Sequence, residues 1–127
     1  MKRVLGACLI LAMALFVFGA LASAAPAAKA AAASKVVTGE IVDLSCYAMN
    51  SAKGAAHKSC AAQCIQNGGP MGLLTSKGLL YVLTMNHEKA DAFNSAKAHA
   101  GDHVKVTGPV MVKSGTRTLE VNNVEAM

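Results

Sequence analysis

The hydrophobic and polar positions divide the chain into a long apolar head and a series of short β-type runs separated by polar turns. Residues 4–21 are apolar almost throughout. Residues 35–44, KVVTGEIVDL, are rich in β-branched side chains and partly alternate, which predicts a strand with a bulge or close backbone approach at Gly39. Residues 72–75 and 79–84 are two more apolar runs, and the Ser76-Lys77-Gly78 turn between them predicts a hairpin. Residues 87–100, HEKADAFNSAKAHA, carry a weak apolar stripe through Ala90, Phe93, Ala96 or Lys97, and Ala100, which predicts a helix anchored to the core by Phe93. Asn86 caps its start and Gly101 closes it, with Glu88 and Asp91 in the early turns and Lys97 and His99 near the end, the order that suits the helix dipole. A strand bent at Gly108-Pro109 is expected over 103–112, a turn over 113–116, and a last strand over 117–124 with Leu119, Val121 and Val124 facing inward.

The apolar head changes how the rest is read. Lys2 and Arg3 precede it, and Ala22-Ser23-Ala24 follows it with small residues at the two positions a signal peptidase reads. The run is about long enough to span a bilayer as an uncleaved anchor, but the Ala-x-Ala site favours a secretory signal over residues 1–24, cut after Ala24. Cys8 leaves with it. The expected compartment is the periplasm or the exterior, with no stable membrane anchor after cleavage. Residues 25–34, nearly all alanine, read as a disordered linker, and residues 35–127 as one domain.

The predicted order is strand, insert, strand, strand, helix, strand, strand. That is the order of a five-stranded, partly open barrel of the oligonucleotide/oligosaccharide-binding (OB) kind, with its helix between strands 3 and 4. The tail GDHVKVTGPVMVKSGTRTLEVNNV resembles the closing hairpin of small exported bacterial OB-like domains. The resemblance implies a mainly β fold; it departs from the pattern at residues 45–70, where a Cys/His insert with a short helix replaces a short first loop. Fold alone does not assign a function.

Composition removes one class of partner. Beyond residue 24 the chain carries nine lysines, one arginine and seven acids, a net charge near +3 without any basic run. Its aromatic residues there are Tyr47, Tyr81 and Phe93. A single-strand nucleic-acid groove needs both a basic track and aromatic platforms, so nucleic acid is not an expected partner. A metal ion is, and another exported protein is a second.

The chemistry lies in CYAMNSAKGAAHKSCAAQC, which places Cys46, His57, Cys60 and Cys64 in the spacing Cys-x10-His-x2-Cys-x3-Cys. Three cysteines remain after Cys8 is lost, an odd number that a pure disulfide framework does not use up. Thiolate and imidazole are ligands for soft or borderline metals. Residues 57–66 have helical composition, stopped by Asn67-Gly68-Gly69 and Pro70. On a helix Cys60 and Cys64 share a face, and Cys46, at the end of the first strand, must fold back across it. His57 and Cys64 are about 10 Å apart along a regular helix. A single ion can take both only if the helix begins after His57, with His57 in a turn that Gly54 allows.

Two further readings stand beside a Cys3His site for zinc or copper. A disulfide needs β-carbons about 4 Å apart. Helical residues four apart stand nearer ~6 Å, so Cys46 would pair with Cys60 or Cys64 and leave one thiol free in a stapled ligand- or protein-binding domain. A His57–Cys60 dyad could also act as a nucleophile, but no third group evidently orients the imidazole, and the expectation is a non-enzyme. Four closed ligands suit zinc. The thioethers of Met49 and Met71 favour copper, unless these methionines merely fill gaps in the core. His87, His99 and His103 read as dipole partners or solvated residues.

Overall fold

The computed structural model describes residues 32–127. The expected signal and its expected cleavage site, Cys8 and most of the expected linker lie outside the described residues. Residues 32–33 have no regular structure, and the first strand, β1, spans Ser34–Asp43, so the linker's last expected residue, Ser34, is already part of the sheet. The remaining strands are β2 (Met71–Leu74), β3 (Leu80–Met85), β4 (His103–Lys113), β5 (Thr116–Val121) and β6 (Asn123–Ala126). Helix α1 spans Leu44–Asn50, α2 spans Lys58–Gln66 and α3 spans Ala90–Ala98. No helix among the described residues is long and apolar enough to cross a membrane.

Five strands close a mixed barrel and the sixth extends it. The order β1-β2-β3-β5-β4 returns to β1, because β1 pairs with both β2 and β4. All contacts are antiparallel except β3 with β5. The first half of β1 faces β4, from Ser34↔Pro109 to Glu40↔His103, and its second half faces β2, from Glu40↔Leu74 to Asp43↔Met71. Gly39 stands where β1 passes from one partner to the other. A β-carbon there would lie 2.5 Å from the Leu74 carbonyl oxygen, so the crossing requires glycine.

The last predicted strand is two strands. β4 meets β5 at Val110↔Leu119 and β6 at Thr107↔Asn123, so two residues of β4 oppose three, 120–122. That extra residue is a bulge. Its cause is the approach of the Glu120 carbonyl to Gly108, where a β-carbon would come within 1.7 Å of the oxygen. Asn122 donates its N–H to the Thr107 carbonyl at 2.9 Å, and the chain resumes pairing as β6. β4 itself runs unbroken through Gly108-Pro109. Ser114 and Gly115 at the β4–β5 turn both have positive φ, as tight hairpins require.

The core is made of Ile41, Leu73, Leu83, Val104, Val106, Leu119 and Val121 from the strands, closed by Ala61 and Ile65 of α2 and Ala96 and Ala100 around α3. α3 lies between β3 and β4, preceded by a 3₁₀ turn, His87–Lys89, that Asn86 caps through a 2.9 Å bond from the Glu88 N–H. Its expected anchor, Phe93, packs against the core but stays half-buried, with Lys97 Nζ 5.6 Å from the ring centre, while Ala96 and Ala100 are wholly buried. Small side chains let this segment lie against the barrel, and Ala100 forms a parallel bridge with Ile41.

Candidate metal centre

The insert between β1 and β2 is more helical than its sequence implies. Cys46 does not end the first strand; it lies on α1. Asp43, the last residue of β1, takes an extended conformation and accepts the Ser45 N–H at 3.1 Å, the geometry of a helix N-cap. α1 ends at Ser51, in the left-handed region at φ 55, with its N–H bonded to the Tyr47 carbonyl. A loop through Gly54, at φ 75, leads into a 3₁₀ turn, Ala55–His57, and α2 starts at Lys58. His57 thus stands in a turn ahead of the helix, as a shared site demands.

Four contacts hold the insert to the barrel. Ile65 and Ala61 enter the core. The Glu40 carboxylate accepts the Gly54 N–H. Lys58 pairs with Asp102 at 2.5 Å, beside Gly101, where a β-carbon would meet the Lys58 side chain. Leu44 donates its N–H to the Pro70 carbonyl at 2.9 Å, and its side chain occupies the space a side chain at Gly72 would need.

These contacts gather the donors around Cys46. Cys46, His57 and Cys60 offer ligand atoms that all lie within 4.8 Å of one another; so do Asp43, Cys46 and Cys64. The residues singled out from the sequence are thus divided between two triads that share Cys46, and His57 and Cys64 do not fall in the same one. The three cysteines are free thiols, and none is joined to another. Asp43 is the donor that sequence reasoning missed. Its signal was present in VDLSC, where an Asp stands ahead of a short helical run in the manner of a cap.

The two triads differ in exposure. Cys60 is exposed and Cys46, His57 and Cys64 are half-buried, whereas Asp43 is 1 % exposed. Two acids are buried, Glu40 and Asp43. Glu40 has its partner in Gly54, but Asp43 Oδ2 meets no donor at hydrogen-bonding geometry, and His57 Nε2 is likewise buried without a partner. Such atoms are costly unless something binds them.

The local field works on the thiols. The Asp43 carboxylate, beside the Cys46 thiol and favouring its protonated form, is the largest cause pushing that thiol up to about 12, and burial adds to it. Cys64 is raised too, by burial first and by the neighbouring Cys60 thiol second. Burial pushes Asp43 up, but the Cys46 thiol and the Ser45 N–H favour its charged form, and the net direction is down. Cys46 and Cys64 therefore keep their protons beside a charged carboxylate.

The other candidates stand apart. Met71 is buried in the core and so fills a gap; Met49 is 81 % exposed on α1 and fills none. His87 and His103 are exposed, and His99 lies 3.8 Å from Asp102. No family model matches the chain, and neither a curated protein nor a solved structure matches it, so the site is read from its own geometry.

Proposed function

We propose that the chain is an exported metal-binding module that holds zinc, or copper as the alternative ion, at the Cys46, His57, Cys60 and Cys64 donors of its insert. The observation that carries this is the convergence of these donors on Cys46 together with two buried, unpartnered polar atoms, Asp43 Oδ2 and His57 Nε2. Thiolates with imidazole suit either ion. The burial of Met71 in the core removes one of the two thioethers that favoured copper, which leaves zinc the better fit.

The barrel serves as the scaffold. Its closure by five strands and the place of α3 between β3 and β4 support kinship with OB-like domains. In that fold the loop between the first two strands is one of the binding loops, and here it is the one that carries the donors. The exposure of Cys60 favours a carrier that exchanges its ion over a purely structural site. The role is to hold an ion and present it, with another exported protein as the receiver.

Intact mass of freshly purified protein tests the reading, taken native and then denatured with a thiol reagent. Bound zinc or copper that is lost on denaturation, with three alkylatable thiols, supports it. A protein free of metal that lacks about two mass units and has one reactive thiol is stapled by a disulfide, and the proposal is then wrong.

A further inference from the structure

We propose that the insert holds two zinc ions rather than one, with the Cys46 thiolate bridging them: an outer ion on Cys46, His57 and Cys60, and an inner ion on Asp43, Cys46 and Cys64. This rests on the metal-binding reading above and adds a ligand, a stoichiometry and a choice of ion.

The placement of the donors is the first argument. Each triad is mutually close, and Cys46 is the only member of both. A thiolate sulfur has lone pairs enough to bind two cations, and it alone here lies within reach of both sets. Cys60 and Cys64 are one turn apart on α2, about 6 Å along the axis, so each can serve a different ion on the same helix face.

Charge is the second argument. Asp43 is almost wholly buried, and the ion pairs among the described residues, Lys58–Asp102 and His99–Asp102, do not reach it. One of its oxygens caps α1 through the Ser45 N–H, but the other, Oδ2, is buried without a partner, and metal coordination is one way to satisfy it. Three thiolates and one carboxylate carry four negative charges. Two divalent ions cancel them, whereas one ion on either triad, with the thiol it does not bind still protonated, leaves one negative charge in a partly buried site.

The ligand chemistry is the third. A carboxylate oxygen is a poor partner for Cu(I), which prefers sulfur, but an ordinary one for zinc. Asp43 therefore selects the divalent ion at the inner position. Each triad supplies three protein donors and leaves one of zinc's usual four positions for water. The outer ion, beside exposed Cys60, is the exchangeable one; the inner ion, on buried Asp43, is retained.

Titration of the reduced protein with Zn²⁺, read by native mass spectrometry, tests this. The wild-type protein should reach two zinc ions, and a brief chelator treatment should remove one before the other. Asp43→Asn keeps the helix cap, since asparagine caps as well as aspartate, but removes the charged donor; it should saturate at one ion. His57→Ala should also saturate at one, and Cys46→Ser should lose both high-affinity positions. Saturation of the wild type at one ion overturns the two-ion site and leaves the metal-binding reading standing. No bound zinc at all overturns both. Two ions in Asp43→Asn overturns the inner triad. Cadmium-113 resonance of the cadmium-loaded protein supplies a second readout. Two signals coupled through a shared sulfur are expected, and two uncoupled signals rule out the bridge.

Discussion

The barrel wall and the insert between β1 and β2 are built on opposite principles. The wall is held by side chains that are wholly buried, among them Val104, Val106, Leu119 and Val121, and its backbone is paired on both sides around a closed ring. The insert, from α1 through α2, sends only Ala61 and Ile65 into the core and otherwise rests on a cap, one buried carboxylate and a surface ion pair. One region is held by apolar burial and continuous backbone pairing. The other has polar groups that a cation would complete, so its stability should depend on what it binds.

The largest effect expected on breaking this contrast is in the wall. Leu119→Ala removes a fully buried side chain from the centre of the core and should cost about 2–5 kcal/mol. Urea unfolding should show both regions melting together, because the insert has no core of its own. Zinc should act the other way and locally. At a free concentration a hundredfold above its dissociation constant, an ion that binds only the folded state adds about 2.7 kcal/mol. Hydrogen exchange should place the added protection in residues 43–66 and leave β3 and β5 unchanged.

The smallest effect belongs to the ion pair that ties α2 to the β4 side. The Lys58 hydrogen bond holds Asp102 below its ordinary value of 3.8, against the opposing pull of burial. A carboxylate lowered in the folded state contributes stability above its unfolded pKa and loses it as pH falls through the folded one. Asp102 is about a third exposed, so water screens the pair and Asp102→Asn should cost at most ~1 kcal/mol at neutral pH. In an acid titration of thermal stability that difference should shrink as pH falls below the ordinary carboxylate range and vanish once pH is below the lowered folded-state pKa.

The same contrast governs how much could be read in advance. The strands were legible because alternation, Gly/Pro punctuation and turn residues are local signals, and β1 to β4 fall within a residue of their expected places. The split of β5 from β6 was not legible. It arises where Glu120 meets Gly108, a contact between residues far apart in the chain. Phe93 is an anchor by size and does pack against the core, but only in part; the small Ala96 and Ala100 are the residues of this segment that are wholly buried, which size alone did not signal.

In the insert, spacing foretold that Cys46 would come back to His57, Cys60 and Cys64. It did not foretell α1, a helix of seven residues whose start depends on the Asp43 side chain. Because α1 turns Cys46 back over the end of β1, the capping carboxylate becomes a neighbour of the thiols. The division into two triads follows from that turn, and no count of cysteines contains it.

X-ray absorption at the zinc edge of the zinc-loaded protein examines the donor atoms directly. The account predicts a mixed shell, with sulfur near ~2.3 Å and nitrogen or oxygen near ~2.0–2.1 Å, the nitrogen signal falling in His57→Ala. A shell of nitrogen and oxygen alone, with no sulfur, would contradict the claim that Cys46 and its neighbours hold the ion.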